Sequence, residues 1–271
     1  MTIPRLGISI VTYHSDAAQF LTVLRSLDTA VLMLDRHLPH STTLTIVDNG
    51  NDAACIRAQL PPLSSSLSIK VEAAGQNIGY GRAHNKAVIA ADTDFHLIMN
   101  PDVIVHEECL CEGLRYLTST KQVVAVSPAA FDGSGNILYL CKKFPALLDL
   151  FLRGFAPKFI KAKFAQRLYR YENRKIVELA KVAEVDLISG CFMLCKTAEL
   201  KNTGGFNKVF FLYFEDFALS LELGKQGSLV YLPACKITHF GGNASRKGLR
   251  HVGYFLASCI KFFNIYGWKL V

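Results

Sequence analysis

Two carboxylates in succession, Glu215-Asp216, follow the aromatic run Phe210-Phe211-Leu212-Tyr213-Phe214 and open a segment of helical character that reaches Gly224. Adjacent acids raise each other's cost of ionisation, so such a pair can keep one proton while accepting another. At a helix N-terminus the same pair also stabilises the macrodipole, a purely structural use. A third acid, Asp102, stands in Asn100-Pro101-Asp102 directly after the apolar run Phe95 to Met99. It is either a turn residue or an oxygen donor of the kind a hard divalent cation takes, one or two carboxylates completed by phosphate and water. Asn77-Ile78-Gly79-Tyr80-Gly81-Arg82 is a glycine-containing loop before a helix, where backbone amides can approach an anion and Arg82 can pair with a phosphate. His239-Phe240-Gly241-Gly242-Asn243-Ala244-Ser245-Arg246-Lys247 joins an imidazole, glycines and two cations, a combination suited to a diphosphate.

The elements that must position these groups alternate. Gly7 to Tyr13, Thr42 to Val47, Ser68 to Glu72 and Phe95 to Met99 read as strands, and Asp16 to Leu34, Asp52 to Leu60 and Gly81 to Ala91 as the helices between them. That alternation predicts an α/β fold with a mostly parallel, Rossmann-like sheet and helices on both faces. Ligands bind such sheets at the carboxyl ends of the strands. Those ends read Thr12-Tyr13-His14, Asp48-Asn49-Gly50-Asn51 and Asn100-Pro101-Asp102, polar groups that look like a nucleotide site. Beyond Asp102 the pattern loosens: strands are expected over Val123 to Ser127, Ile137 to Leu140 and Val185 to Leu194, the last carrying Ser189-Gly190, with helical tendency from 145 to 180.

Charge is unevenly spread. Of the formal +8, the segment from Arg153 to Lys175 carries +7 and that from Lys236 to Val271 carries +6, which leaves the other 212 residues at −5. Val252, Phe255, Leu256, Cys259, Ile260 and Phe263 share one helical face, widened by Phe262 and Tyr266, with Trp268 beyond the helix after Gly267. Ile160, Phe164, Leu168 and Tyr171 form a second stripe, flanked by Lys163, Arg167 and Arg174. Apolar stripes bordered by cations suit an anionic membrane surface, and they equally suit packing on the protein's own core. No nucleic-acid-binding signature is present, and no run of about 18 apolar residues suggests a spanning helix. The N-terminus does not read as a signal peptide. Eight cysteines without a CxxC pair are expected to be reduced thiols, most of them buried.

In this order, Ser9-Ile10-Val11-Thr12-Tyr13, Ile46-Val47-Asp48-Asn49-Gly50, Asn77 to Asn85, Met99-Asn100-Pro101-Asp102, Ser189-Gly190, Gly204-Gly205-Phe206-Asn207, Glu215-Asp216 and His239 resemble family 2 glycosyltransferases of the GT-A fold. The chain is most similar to the bacterial rhamnosyltransferases of surface polysaccharide (O-antigen or capsule) synthesis. The resemblance implies an inverting transferase in which Asp216 is the base and Glu215 positions the acceptor or tunes Asp216. Thr12, Tyr13, Asp48, Asn77, Gly79, Arg82, Asn100, Asp102, Ser189 and Gly190 would bind the nucleotide sugar, with Asp102 holding Mg²⁺ or Mn²⁺. His239, Ser245, Arg246 and Lys247 would serve the leaving diphosphate or an acceptor diphosphate. The implied donor is dTDP-rhamnose and the implied acceptor a lipid-diphosphate-linked saccharide, at the inner face of the cytoplasmic membrane. UDP- and GDP-sugars are alternative donors. The family often continues Glu-Asp-x-Asp-Leu where this chain has Phe217-Ala218-Leu219, which bears on specificity.

The expected organisation is a transferase domain over 1–245, with a nucleotide-binding half (1–104) and an acceptor and catalytic half (105–245). A basic amphipathic helix at the membrane surface would occupy 246–271. Two other classes are weighed against this one. A nucleotidyltransferase would carry a Gly-rich basic loop where Thr12-Tyr13-His14 stands, and a non-catalytic relative would need neither Asp102 nor Asp216.

Overall fold

The computed structural model describes residues 4–38, 40–241 and 248–271, so Ser245, Arg246 and Lys247 lie outside the described residues. In chain order the first half comprises β1 (Arg5–Thr12), α1 (Ala17–His37), β2 (Ser41–Asp48), α2 (Ala53–Ala58), β3 (Leu67–Ala73), α3 (Tyr80–Ala90) and β4 (Phe95–Met99). These are the expected strands and helices, displaced by a few residues at their ends. Next come β5 (Val103–Val105), α4 (Cys109–Ser119), β6 (Val123–Phe131), β7 (Ile137–Leu138) and four short helices: α5 (Leu147–Gly154), α6 (Lys158–Lys163), α7 (Ala165–Tyr171) and α8 (Arg174–Glu178). The chain closes with β8 (Ala183–Glu184), β9 (Phe192–Lys196), α9 (Thr197–Asn202), α10 (Glu215–Gly224), β10 (Ser228–His239) and α11 (Leu249–Tyr266).

The strands join in one sheet of order β3-β2-β1-β4-β9-β6-β10-β5, with β7 on β6 and β8 on β10. Six of the eight strands on this path point the same way, and β9 and β5 oppose them. Alternation sends Leu97 and Met99 to a core under α1 and α4, and Ile98 to a second core under α3, α9 and α10 with Val88, Leu200 and Leu219. Asp16 caps α1 by accepting from Gln19 N at 2.8 Å. That helix has the length and hydropathy to cross a membrane, but Phe20, Val23, Leu24, Leu27, Ala30, Val31 and Leu34 are buried on the protein's own core. Because the chain moves outward from β1 to β3 and then returns to β4, the order reverses between β1 and β4. Their carboxyl ends therefore flank an open crevice.

A buried polar staple fixes α3 over this crevice. Ser9 Oγ of β1 lies 2.8 Å from His84 Nδ1 of α3 and 3.0 Å from His96 Nε2 of β4. Burial lowers the pKa of His96 to about 4 and that of His84 well below the usual value, so both rings are neutral at pH 7.

Three expectations are corrected. The strand predicted over Val185 to Leu194 is regular only from Phe192 to Lys196, because Leu187 pairs with Lys142 and Gly190 turns its N–H to Asp216 instead of a neighbouring strand. The stripe Ile160-Phe164-Leu168-Tyr171 is broken at Phe164 into α6 and α7 and packs inward, with Leu168 and Tyr171 buried. In α11 it is Cys259, Phe262 and Phe263 that pack, against Leu150, Phe210, Phe214 and Ala218, while Leu256 and Ile260 of the expected face are exposed. Gly267, at φ 99°, ends α11 and leaves Trp268 beyond it. In and beside the first basic segment Phe151, Phe155 and Phe159 are exposed, Phe159 at 75% accessible, and Trp268, Leu270 and Val271 are exposed at the end of the second. Seven of the cysteines are buried, Cys55 is exposed, and all eight are free thiols.

Candidate active site

A cavity of about 410 Å³ opens at the carboxyl ends of β1 and β4. Tyr13, Asn49, Asn77, Gly79, Tyr80, Asn100, Asp102 and Arg250 are among its walls. The loop after β3 is shaped by two amides: Asn49 Oδ1 accepts from Ile78 N, Asn49 Nδ2 donates to Asn77 Oδ1, and that oxygen also accepts from Gly79 N, each at 3.0 Å. Gly79 is at φ 89°, and a Cβ there would collide with the Phe211 carbonyl, which accepts from Tyr80 N at 3.1 Å. Only glycine meets both demands.

Asp48 and Thr12 are register partners at the ends of β2 and β1. Asp48 Oδ1 accepts from Gly50 N at 2.8 Å, whereas its Oδ2 and Thr12 Oγ1 are buried without a partner among the described residues. Arg82 is placed elsewhere. Its Nε and Nη2 donate to the Lys208 carbonyl at 2.8 and 2.5 Å, so its fork braces the 207–210 turn and it does not line the cavity.

Antiparallel pairing of β10 with β5 sets His239 opposite Val103, next to Asp102. His239 Nε2 is 3.3 Å from Asp102 Oδ1, Phe240 N donates to the Asp102 carbonyl at 3.0 Å, and a Cβ on Gly241 would collide with Asp102 Oδ2. One carboxylate and one imidazole converge here. Among the described residues no group of three or more His, Cys, Asp or Glu is gathered to hold a metal, so a cation at this point would need ligand oxygens from a diphosphate and water.

The acid pair is reached through the backbone. Asn100 N donates to the Cys191 carbonyl at 3.0 Å, Tyr80 Oη donates to the Gly190 carbonyl at 2.7 Å, and Gly190 N donates to Asp216 Oδ2 at 3.0 Å. Tyr213 and Phe214 precede α10 at φ 69° and 65°. Two bulky residues in the left-handed region cost of order 1–3 kcal/mol each. They are held by the 2.9 Å contact of Tyr213 Oη with His251 Nδ1 and by packing of Phe214 on Phe217, Phe255 and Phe262. The strained turn points Glu215 and Asp216 into a second cavity of about 210 Å³, walled also by Lys142, Arg153, Tyr171, Ser189 and Phe255. Burial, then the neighbouring Asp216, raises the Glu215 pKa to about 8. Glu215 is therefore mostly protonated at pH 7, and its buried Oε2 has no partner among the described residues. Burial raises the Asp216 pKa as well, opposed by the N–H groups of Gly190 and Phe217. One neutral acid beside one more basic carboxylate is an arrangement that can take a proton from an incoming hydroxyl.

The model of glycosyl transferase family 2 matches residues 11–198. The chain belongs to that family. It is 28% identical over 177 residues to "Rhamnosyltransferase WbbL" of Escherichia coli (strain K12), an alignment covering 62% of this chain and 63% of that protein. It is 24% identical over 209 residues to the N-acetylglucosaminyl-diphospho-decaprenol L-rhamnosyltransferase of Mycobacterium tuberculosis, covering 73% of this chain and 66% of the relative. The chain thus matches just under two thirds of the length of these curated relatives. Mannosyltransferase PcManGT from Pyrobaculum calidifontis, solved with GDP-Man and Mn²⁺, superposes with a TM-score of 0.62 at 16% identity over 96% of this chain and 65% of its own. The fold is GT-A.

Within this family 2 domain, Tyr13, Asn77, Gly79, Asn100 and Asp102 line the first cavity, and Ser189, Glu215 and Asp216 the second. Gly190 bridges them by its backbone, and His239 joins Asp102. Asn49, Tyr80, Arg250, Lys142, Arg153 and Tyr171 were not singled out as site residues. Arg250 belongs to the basic tail read as a membrane contact; Arg153 and Tyr171 belong to the basic segment between Arg153 and Lys175, but nothing in their spacing marks them as cavity walls.

Proposed function

We propose that the protein is an inverting, metal-dependent glycosyltransferase that moves L-rhamnose from dTDP-rhamnose to a lipid-diphosphate-linked saccharide of a bacterial surface polysaccharide. The observation that supports this reading is the backbone link from the Asn100-Pro101-Asp102 loop through Cys191 and Gly190 to Asp216, which ties the cavity at Asp102 to the cavity at the acid pair. In-line displacement needs that arrangement, with the acceptor hydroxyl and the leaving diphosphate on opposite sides of the anomeric carbon.

The nucleoside lies along Thr12, Tyr13 and Asp48, and the diphosphate faces Asp102, His239 and the first turn of α11, where Arg250 lines the wall. Asp102 and His239 would hold the divalent ion, whose chemistry is to neutralise charge developing on the diphosphate. An imidazole beside a carboxylate suits Mn²⁺ better than Mg²⁺. Asp216 accepts the acceptor proton, and protonated Glu215 donates a hydrogen bond to the acceptor. Rhamnose is supported by the named activity of both relatives and the lipid-linked acceptor by that of the mycobacterial one; UDP- and GDP-sugars are the competing donors.

The protein works at the cytoplasmic membrane face. Phe151, Phe155 and Phe159, with Lys158, Lys161 and Lys163 beside them, form the surface that rests on anionic lipid. Incubation with a panel of nucleotide sugars and Mn²⁺, followed by nucleoside diphosphate release, tests the reading. Release from dTDP-rhamnose above all others is expected; consumption of no nucleotide sugar overturns it.

A further inference from the structure

The second cavity carries two basic side chains, Lys142 and Arg153, on the wall shared with the acid pair. Glu172 is shared by three cations: Oε2 accepts from Arg174 Nε and Nη2 at 2.9 and 2.6 Å, while Oε1 lies 3.3 Å from Arg153 Nε and 3.7 Å from Lys142 Nζ. Lys142 is 4% exposed and also donates to the Tyr139 carbonyl. Arg153 is half-exposed at the mouth, and among the described residues its two terminal Nη groups have no partner. On the same cavity stands Tyr171, 3% exposed, whose hydroxyl is buried without a hydrogen bond among the described residues. An orphaned buried hydroxyl costs about 1–3 kcal/mol, a cost that invites a ligand to relieve it. Tyr171 shares the wall of this cavity with Arg153, Glu215 and Asp216.

From these groups we infer that Arg153, Tyr171 and Lys142 form a subsite for an anionic group of the acceptor, a phosphate or diphosphate ester attached close to the hydroxyl that meets Asp216. A guanidinium at the mouth, a hydroxyl donor and the Lys142 amine behind them are donors suited to a tetrahedral oxyanion; burial lowers the Lys142 pKa to about 7, so a bound anion would favour its charged form. The subsite is separate from the one that takes the donor diphosphate, which lies at Asp102, His239 and Arg250. The inference rests on the proposed transferase reading and names the acceptor class for it.

Equilibrium binding of geranyl diphosphate, inorganic pyrophosphate and geraniol, without divalent cation, tests this directly. The wild type binds geranyl diphosphate and not geraniol. Arg153→Gln weakens that binding about tenfold or more, and Tyr171→Phe about threefold. Arg250→Gln, in the other cavity, leaves it unchanged. Tyr171→Phe keeps the ring's packing and loses only an unsatisfied hydroxyl, so the unliganded variant melts no lower than wild type while binding less. Pyrophosphate bound with the same sensitivity assigns the headgroup alone; binding of only the geranyl ester assigns a lipid-borne phosphate. Equal affinity in wild type, Arg153→Gln and Tyr171→Phe, or loss on Arg250→Gln instead, overturns the subsite. Failure to bind any nucleotide sugar would overturn the transferase reading while this binding measurement still stands.

Discussion

The two ends of the cleft are built by different means. At the proposed donor end, most walls up to Asp102 come from strand ends and the turns that follow them, with Gln19 of α1 and Tyr80 of α3 beside them and Arg250, His251 and Tyr254 of α11 across from them, and local hydrogen bonds among Asn49, Asn77 and Gly79 finish the shape. At the acid-pair end, the walls come from α5, α7, the irregular 185–191 segment, a strained aromatic turn and α11, brought together only by tertiary packing. A strand end is fixed by short-range pattern, whereas a pocket among short helices exists only after the chain has folded. The donor end is accordingly generic to the architecture, and the other end is where one chain can differ from its relatives.

The largest effect should come from the acid-pair end. Asp216→Asn removes the proposed base and is expected to lower kcat by about 10²–10⁴-fold, with donor affinity retained in a nucleotide-binding assay. Comparable activity in this variant would remove Asp216 from the chemistry. At the donor end, Gly79→Ala combines a left-handed backbone with a collision against Phe211 O, and should cost about 1–3 kcal/mol in denaturant unfolding while weakening nucleotide binding.

The acid pair and the buried histidine staple titrate in opposite directions. Glu215 has its pKa raised on folding to about 8, so its favourable contribution is complete below the unfolded value and is lost as pH rises from about 4.5 to 8. His84 and His96 have lowered pKa values, with His96 at about 4. Their contribution is present above about 6.5 and is lost as pH falls toward 4. Stability against pH should therefore slope both ways, by at most about 1.4 kcal/mol per pH unit for each proton. Glu215→Gln should flatten only the alkaline limb, and His96→Asn only the acid limb, as urea unfolding across pH 4 to 9 would read. A smaller effect is expected outside the cleft: Phe155→Ser with Phe159→Ser should reduce binding to anionic vesicles several-fold and leave unfolding within about 0.5 kcal/mol, since both rings are exposed.

How much of this could be read beforehand follows the same division. The seven elements from β1 to β4 were legible because each has one clean period and sits beside its turn residues. The motif at Asp102 was legible because it ends such a strand, and Glu215-Asp216 because it follows an aromatic run. By contrast, β10 and its pairing with β5, which brings His239 to Asp102 across more than 130 residues, left no local signal. Arg82 misled for a related reason: a cation after a glycine loop fits a phosphate, yet its nearest acceptor is the Lys208 carbonyl of a distant turn. The basic amphipathic stripes suited a membrane surface and the protein's own core alike, and periodicity could not divide them: Leu168, Tyr171, Phe262 and Phe263 pack inward, whereas Leu256 and Ile260 are left outside.

The central claim is that Asp102 and Asp216 act across one cleft in an inverting transfer. Proton NMR of the product formed from dTDP-rhamnose and a lipid-diphosphate saccharide, with Mn²⁺ present, tests it most directly. The account predicts a glycosidic bond of anomeric configuration opposite to the donor, absent with Asp216→Asn. A product that retains the donor configuration, or one formed equally well by Asp216→Asn, would contradict it.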